Sequence, residues 1–205
     1  MSTTETPIRT FVAIELTPDL ERAARDLQAQ MRQRLPFPAL RWVQPQGIHL
    51  TLKFLGDVPP SRLPAIQSAL AGVAAQHAPF NLAARDLGVF PSPSRPNVLW
   101  VGLAGDLPRL HRLRDAVEKA IAPLGYPTES RPFHPHLTLA RIKDATPADV
   151  QRVRDLLQQP PAADLGALPA AAVHLMRSDL SPQGARYTAL AMYPLTGQTG
   201  LTGHG

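Results

Sequence analysis

Phe133-His134-Pro135-His136-Leu137-Thr138-Leu139-Ala140-Arg141 is the stretch whose reading decides the fold. Its core, His136-Leu137-Thr138-Leu139, has a twin in His49-Leu50-Thr51-Leu52. Alternate side chains of a β-strand share a face, so His and Thr at i and i+2 point one way while the two Leu point into a core. Each copy therefore presents one imidazole and one hydroxyl on a common surface. Two copies placed side by side would set two histidines and two hydroxyl donors around one small pocket.

The repeat extends beyond the tetrapeptides. His49 and His136 are 87 residues apart, and the same ungapped shift relates Asp19-Leu20 to Asp106-Leu107 and Pro45 to Pro132. It also relates Leu63, Ile66 and Leu70 to Val150, Val153 and Leu157, Trp100 to Tyr187, and Leu103 to Leu190. Helices, strands and motifs stay in register, which marks an internal duplication. The expected organisation is one bilobal domain over 1–196, with β-α-β-α-β units at about 11–97 and 98–184 and a closing strand at 185–195. The Gly- and Thr-rich residues 197–205 read as a flexible tail.

Phe11 to Leu16 reads as a buried strand, and Thr17-Pro18 as the start of a helix with Leu20, Ala23, Ala24, Leu27 and Met31 at helical spacing. Arg41 to Val43 is short and extended. The next strand, from His49 to Leu55, is expected to hold His49, Thr51 and Lys53 on one face and Leu50, Leu52 and Phe54 on the other. A second helix carries Leu63, Ile66, Leu70 and Val73. Strands follow over Phe80 to Phe90 and Val98 to Leu103, separated by a loop from Pro91 to Asn97 rich in turn formers. A third helix carries Leu110, Leu113, Val117 and Ile121, and Gly125 suits its end. After the second motif strand at 135–141, Thr146 to Asp149 reads as a helix cap. Ala170 to Ser178 and Ala185 to Leu195 then form a hairpin across Ser181-Pro182-Gln183-Gly184.

Net charge is +5, which favours an anionic partner such as RNA or a nucleotide. The absence of cysteine excludes disulfides, thiolate metal sites and cysteine nucleophiles. No apolar run is long enough to span a bilayer and the N-terminus carries no signal pattern, so the expected location is cytoplasmic and the expected state a monomer away from membranes.

The chemistry that fits two such strands is the opening of a ribose 2′,3′-cyclic phosphate. One imidazole deprotonates the attacking water and the other protonates the departing alkoxide. Thr51 and Thr138 donate hydrogen bonds to the phosphoryl oxygens, where charge collects. The scheme needs neither metal nor other cofactor. Arg141, after the second motif, can reach a phosphate. Lys53 shares the expected face of His49; Phe11, Trp42 and Phe133 are candidates to stack a base, and Arg95 to contact RNA. A competing reading groups His49, His134 and His136 as ligands of a metal, but it leaves the threonines without a role. His77, His111 and His204 read as surface residues, and His174 has no assigned part.

With both motifs placed, the chain resembles the two-histidine (2H) phosphoesterase superfamily, and most closely its bacterial RNA 2′,3′-cyclic phosphodiesterase/2′-5′ RNA ligase branch. The resemblance runs from about residue 9 to 195 through FVAIEL at 11–16, HLTL at 49–52 with Phe54-Leu55-Gly56, Phe90-Pro91-Ser92 and VLWVG at 98–102. It continues through Arg131 to Arg141 and Arg186-Tyr187. It implies an α+β, bilobal fold with two antiparallel sheets framing a central cleft. It further implies hydrolysis of RNA cyclic phosphate ends to 2′-phosphomonoesters. His49 and His136 would be catalytic, Thr51, Thr138 and Arg141 would hold phosphate, and Phe11 could stack a nucleotide. A 2′-5′ RNA ligase using the same groups in reverse, and a non-catalytic RNA- or nucleotide-binding module, are the rival readings.

Overall fold

A computed structural model describes residues 5–181 and 184–198. Its elements in chain order are β1 (Ile8–Glu15), α1 (Pro18–Arg34), β2 (Leu40–Trp42), β3 (His49–Val58), α2 (Leu63–Ala75), β4 (Phe80–Ser92), β5 (Arg95–Gly105) and α3 (Leu107–Ile121). There follow β6 (His136–Ile142), α4 (Pro147–Gln158), β7 (Gly166–Ala170), β8 (Ala172–Ser181) and β9 (Gly184–Pro194). The helices begin where the caps predict: Thr17 Oγ1 accepts from Leu20 N at 3.3 Å, and Thr146 and Asp149 form a reciprocal capping box.

The strands are ordered β7-β4-β5-β6-β3-β1-β8-β9, with β2 also on β6, and every pairing is antiparallel. Read outward from the middle, β6-β5-β4 and β3-β1-β8 are related by the 87-residue shift. The two antiparallel halves touch at a single rung, Leu50 opposite Leu137. The repeat units and the halves are different sets of residues. β4, from the first repeat, completes the His136 half, and β8, from the second, completes the His49 half. This exchange ties the halves into one unit through covalent chain as well as packing. The main core lies behind the sheet, where Leu50, Leu137, Leu139, Val12 and Ile14 meet Leu20, Leu27, Leu110, Leu113 and Val117 from the helices.

Two details of the sequence reading are corrected. The expected loop from Pro91 to Asn97 is mostly strand: Pro91 pairs with Pro96 and Ser92 with Arg95, leaving a two-residue turn. The missing proline N–H groups are tolerated because the register shifts at Phe90/Pro91. β7 was not foreseen; it is a short edge strand carrying Pro169, which hides its pattern. Residues 182 and 183 of the predicted β8–β9 turn, and the tail beyond residue 198, lie outside the described residues.

Candidate active site

The rung at Leu50–Leu137 is what assembles the site. Both leucines are fully buried, so their neighbours face the opposite side of the sheet. Antiparallel register sets Thr138 opposite His49 and His136 opposite Thr51. The two motifs thus interlock diagonally, each imidazole beside the hydroxyl of the other copy. All four side chains line one cleft of about 490 Å³, with Phe11, Phe54, Arg141 and Tyr187 on its walls.

Each imidazole is held in the same way. His49 Nδ1 donates to the carbonyl of Gly47 at 2.8 Å, and His136 Nδ1 donates to that of His134 at 2.7 Å. A carbonyl can only accept, so in neutral rings the proton is on Nδ1 and Nε2 is the free acceptor. Gly47 ends a short 3₁₀ turn, Pro45–Gly47, whose last carbonyls have no helical donor and are available to His49. Tyr187 lies over this turn, close enough that a Cβ at Gly47 would come within 3.2 Å of its ring.

The surroundings of the two rings differ. His49 stacks on Phe11, centroids 4.5 Å apart and planes 29° apart, and meets the edge of Tyr187 at 5.0 Å. His136 meets the edge of Phe90 at 4.9 Å, with Trp100 farther off at 6.4 Å. Burial pushes the His49 pKa down to about 4, against the Gly47 hydrogen bond; the positive charge of Arg141 adds to the depression. His136 is also lowered, first by burial and then by Arg141 and His134. In the free protein both rings favour their neutral forms.

A β-bulge decides where the remaining candidates point. In β3 against β1, Val12 pairs with Lys53 and Ala13 with Thr51, so Leu52 is extra. Beyond it the alternation inverts, contrary to the period-two expectation. Lys53 does not share the face of His49; it is 5% exposed and turned into the core. There its Nζ donates to Glu118 Oε2 at 2.5 Å and to the Pro127 carbonyl at 2.7 Å. Phe54, expected in the core, is instead on the cleft wall and 66% exposed. The same bulge recurs in β6: Leu99 pairs with Ala140 and Trp100 with Thr138, leaving Leu139 extra. It brings Arg141 onto the cleft wall at the position equivalent to Phe54.

Three further candidates lie elsewhere. Trp42 is on β2 with the Arg32 guanidinium 4.8 Å above its ring, outside the cleft. Phe133 packs on α3, 5.6 Å from His111 and under Arg114. Arg95 belongs to the β4–β5 hairpin and lines a larger cavity, about 630 Å³, beside α4; that cavity contains no histidine. Phe11 does reach the cleft but is 2% exposed, its ring face covered by His49, so it supports the imidazole and offers no free face to a base. Among the described residues no three His, Cys, Asp or Glu side chains converge to hold a metal, so His49, His134 and His136 do not form the three-histidine set of the competing reading. The aromatic frame of Phe90, Trp100 and Tyr187 was missed as site structure. Gly88 was the available signal, since a Cβ there would fall 2.2 Å from the Trp100 ring.

Paired His-x-Thr strands meeting at one rung, each imidazole tied to the carbonyl two residues before it, define a duplicated phosphoesterase site. The family model described as LigT like Phosphoesterase matches the chain twice, over 14–100 and 101–187, and the chain belongs to that family. An RNA 2′,3′-cyclic phosphodiesterase of Geobacillus stearothermophilus is 34% identical over 197 residues, 95% of this chain but 60% of its own length. A protein of the same name from Aeropyrum pernix is 37% identical over 153 residues, 74% of this chain and 84% of its own. Among solved structures, a Thermus thermophilus protein superposes with a TM-score of 0.76 at 30% identity, covering 93% of this chain and 99% of that one. Escherichia coli LigT complexed with 3′-AMP superposes at 0.71 with 27% identity and the same coverage.

Proposed function

We propose that the protein is an RNA 2′,3′-cyclic phosphodiesterase that opens cyclic phosphate ends to 2′-phosphomonoesters by two-histidine acid–base catalysis. The observation that carries this reading is the diagonal interlock of His49, Thr51, His136 and Thr138 about the Leu50–Leu137 rung. The names of the relatives point the same way.

In the proposed reaction the cyclic phosphate sits between the two Nε2 atoms. One neutral imidazole removes a proton from water as its oxygen bonds to phosphorus. The P–O3′ bond breaks, and the second imidazole, protonated, delivers its proton to O3′. The 2′-phosphate remains. Thr51 and Thr138 donate to the non-bridging oxygens, and Arg141 balances their charge. The anionic substrate also supplies the second proton's stability, because a phosphate beside the rings opposes the depression of their pKa. Residues 1–196 act as one bilobal monomer, working in the cytoplasm on RNA ends or small cyclic nucleotides. No helix among the described residues is long and apolar enough to cross a membrane.

The test is incubation of short RNAs ending in a 2′,3′-cyclic phosphate, in EDTA, with products resolved by phosphorus NMR. The expected product is the 2′-monoester. A 3′-monoester, or turnover seen only after zinc or manganese is restored, would overturn the reading. Joining to an added 5′-hydroxyl RNA in place of hydrolysis would favour the ligase alternative.

A further inference from the structure

The cleft wall beyond the catalytic groups carries an apolar–cationic–apolar series that the reaction does not use. Phe54 and Leu180 are 66% and 68% exposed, the two most exposed large apolar side chains among the described residues. Both line the cleft, as does Arg9. β1 lies between β3 and β8. Phe54 is opposite Phe11, and Arg9 is two residues further along β1 on the same face. Extending the Phe11–Met176 register places Leu180 two residues further again on β8. The three side chains thus fall on a diagonal across the sheet. Each step is one strand and two residues, about 8 Å from standard strand spacings. The two steps together span about 16 Å, which a dinucleotide bridges with its two bases splayed to either side of the phosphate that joins them.

We infer that this diagonal is a track for the RNA chain upstream of the cyclic phosphate. The terminal base lies on Phe54, the next phosphate meets Arg9, and the penultimate base rests against Leu180. The inference rests on the phosphodiesterase reading for the position of the cyclic phosphate, and it narrows the substrate from any cyclic nucleotide to an RNA end of at least two nucleotides. Base stacking on a side chain is tolerant of sequence, so the track recognises the polymer without selecting a base. The equivalent wall in the other half carries Arg141 in place of Phe54 and has no such series.

The experiment compares three substrates: a ribose 2′,3′-cyclic phosphate without a base, a nucleoside 2′,3′-cyclic phosphate, and a dinucleotide ending in one. Wild type should show KM falling in that order. Phe54→Ala should raise KM about ten-fold for both substrates that carry a base, the size of one lost stack. Arg9→Gln and Leu180→Ser should raise it for the dinucleotide alone. Equal KM for mono- and dinucleotide in wild type, or equal effects of Leu180→Ser on both, would overturn the track. Equilibrium binding of the same mono- and dinucleotides bearing a terminal 2′-phosphate reads the track without turnover. If wild type hydrolyses none of the three, the phosphodiesterase reading fails, and a dinucleotide preference in binding that Leu180→Ser abolishes still decides the track.

Discussion

The His49 half and the His136 half of the cleft share a tetrapeptide, a carbonyl tie and a bulge at the same place. They diverge one residue past the bulge. In β3 the extra residue turns a lysine into the core and a phenylalanine onto the wall; in β6 it turns in an alanine and puts out an arginine. His49 is also the deeper ring, stacked on Phe11, while His136 meets Phe90 edge-on and Trp100 at a tilt. The lesson is a division of labour. The symmetric centre suits a phosphate, whose non-bridging oxygens are alike, and the asymmetric flanks suit a ribonucleotide chain, which has direction.

If the symmetry at the centre is functional, both halves fail alike. His49→Ala and His136→Ala are each expected to slow turnover on the order of 10²–10⁴-fold, the usual worth of a positioned acid or base. The double variant should be little slower than either single one, because the pair acts as a unit. Single-turnover rates check this. A variant of one histidine that keeps most activity would break the comparison at its strongest point. A substrate with sulfur at the 3′ position needs little protonation, so it should rescue only the variant lacking the acid and thereby assign the roles.

The next largest effect belongs to Lys53. Its ion pair with Glu118, which Arg114 also contacts at 3.1 Å, is buried and has no counterpart at Ala140. The same lysine holds the Pro127 carbonyl, and Glu118 accepts from the Glu129 N–H at 3.3 Å. The first motif strand thereby grips the segment that leads into His136, across halves joined by a single rung. Lys53→Met leaves a buried carboxylate short of a partner and should cost about 3–5 kcal/mol in urea unfolding. Adding Glu118→Gln should recover much of that stability without recovering kcat. Recovery of both would show that the grip is structural only and does not position His136.

Burial separates the two rings in acid. In an NMR titration of the free protein, His49 should show its midpoint at about 4 and His136 below the ordinary histidine range. The sign follows from linkage: a histidine whose folded pKa lies below its unfolded value binds protons more readily when unfolded. Its contribution is intact above the ordinary value of about 6.5 and is lost as pH falls through about 4. His49→Gln should therefore be less acid-labile than wild type. Inorganic phosphate should raise both midpoints, and a His49 midpoint already at the ordinary value in the free protein would refute the burial argument.

Much of this was legible in the sequence because repeats and alternation are local signals. The HLTL pair and its shift fixed which residues share a face, and Thr17, Thr146 and Gly125 marked helix ends by their own chemistry. The positions of Lys53 and Phe54 were not legible. A bulge adds one residue to one strand only, and it shows only against the partner strand, here β1. Alternation read past Leu52 therefore assigned both residues to the wrong face, while at Arg141 the motif resemblance gave the right position without the reason. The exchange of β4 and β8 between halves was hidden for a related cause: a duplication shows what is similar, and pairing is settled in three dimensions.

The smallest effect tests the flanks directly, through Phe54 and Arg141 at equivalent positions. Neutralising a phosphate with a cation releases counterions, so binding weakens as salt rises, with a slope of roughly 0.7 per contact for single-stranded RNA. Arg141→Gln should reduce the slope of log affinity against log salt for a cyclic-phosphate RNA end by about that one contact. Phe54→Ala should lower affinity at every salt concentration and leave the slope unchanged, since a stacked base releases no counterion. Filter binding across a salt series measures both. A slope unchanged by Arg141→Gln would mean that the arginine acts on the imidazoles alone, by the charge that holds both pKa values down. A slope changed by Phe54→Ala would mean that the chain loses its phosphate contacts with its stack, and the two walls would then be one coupled surface with no division of labour.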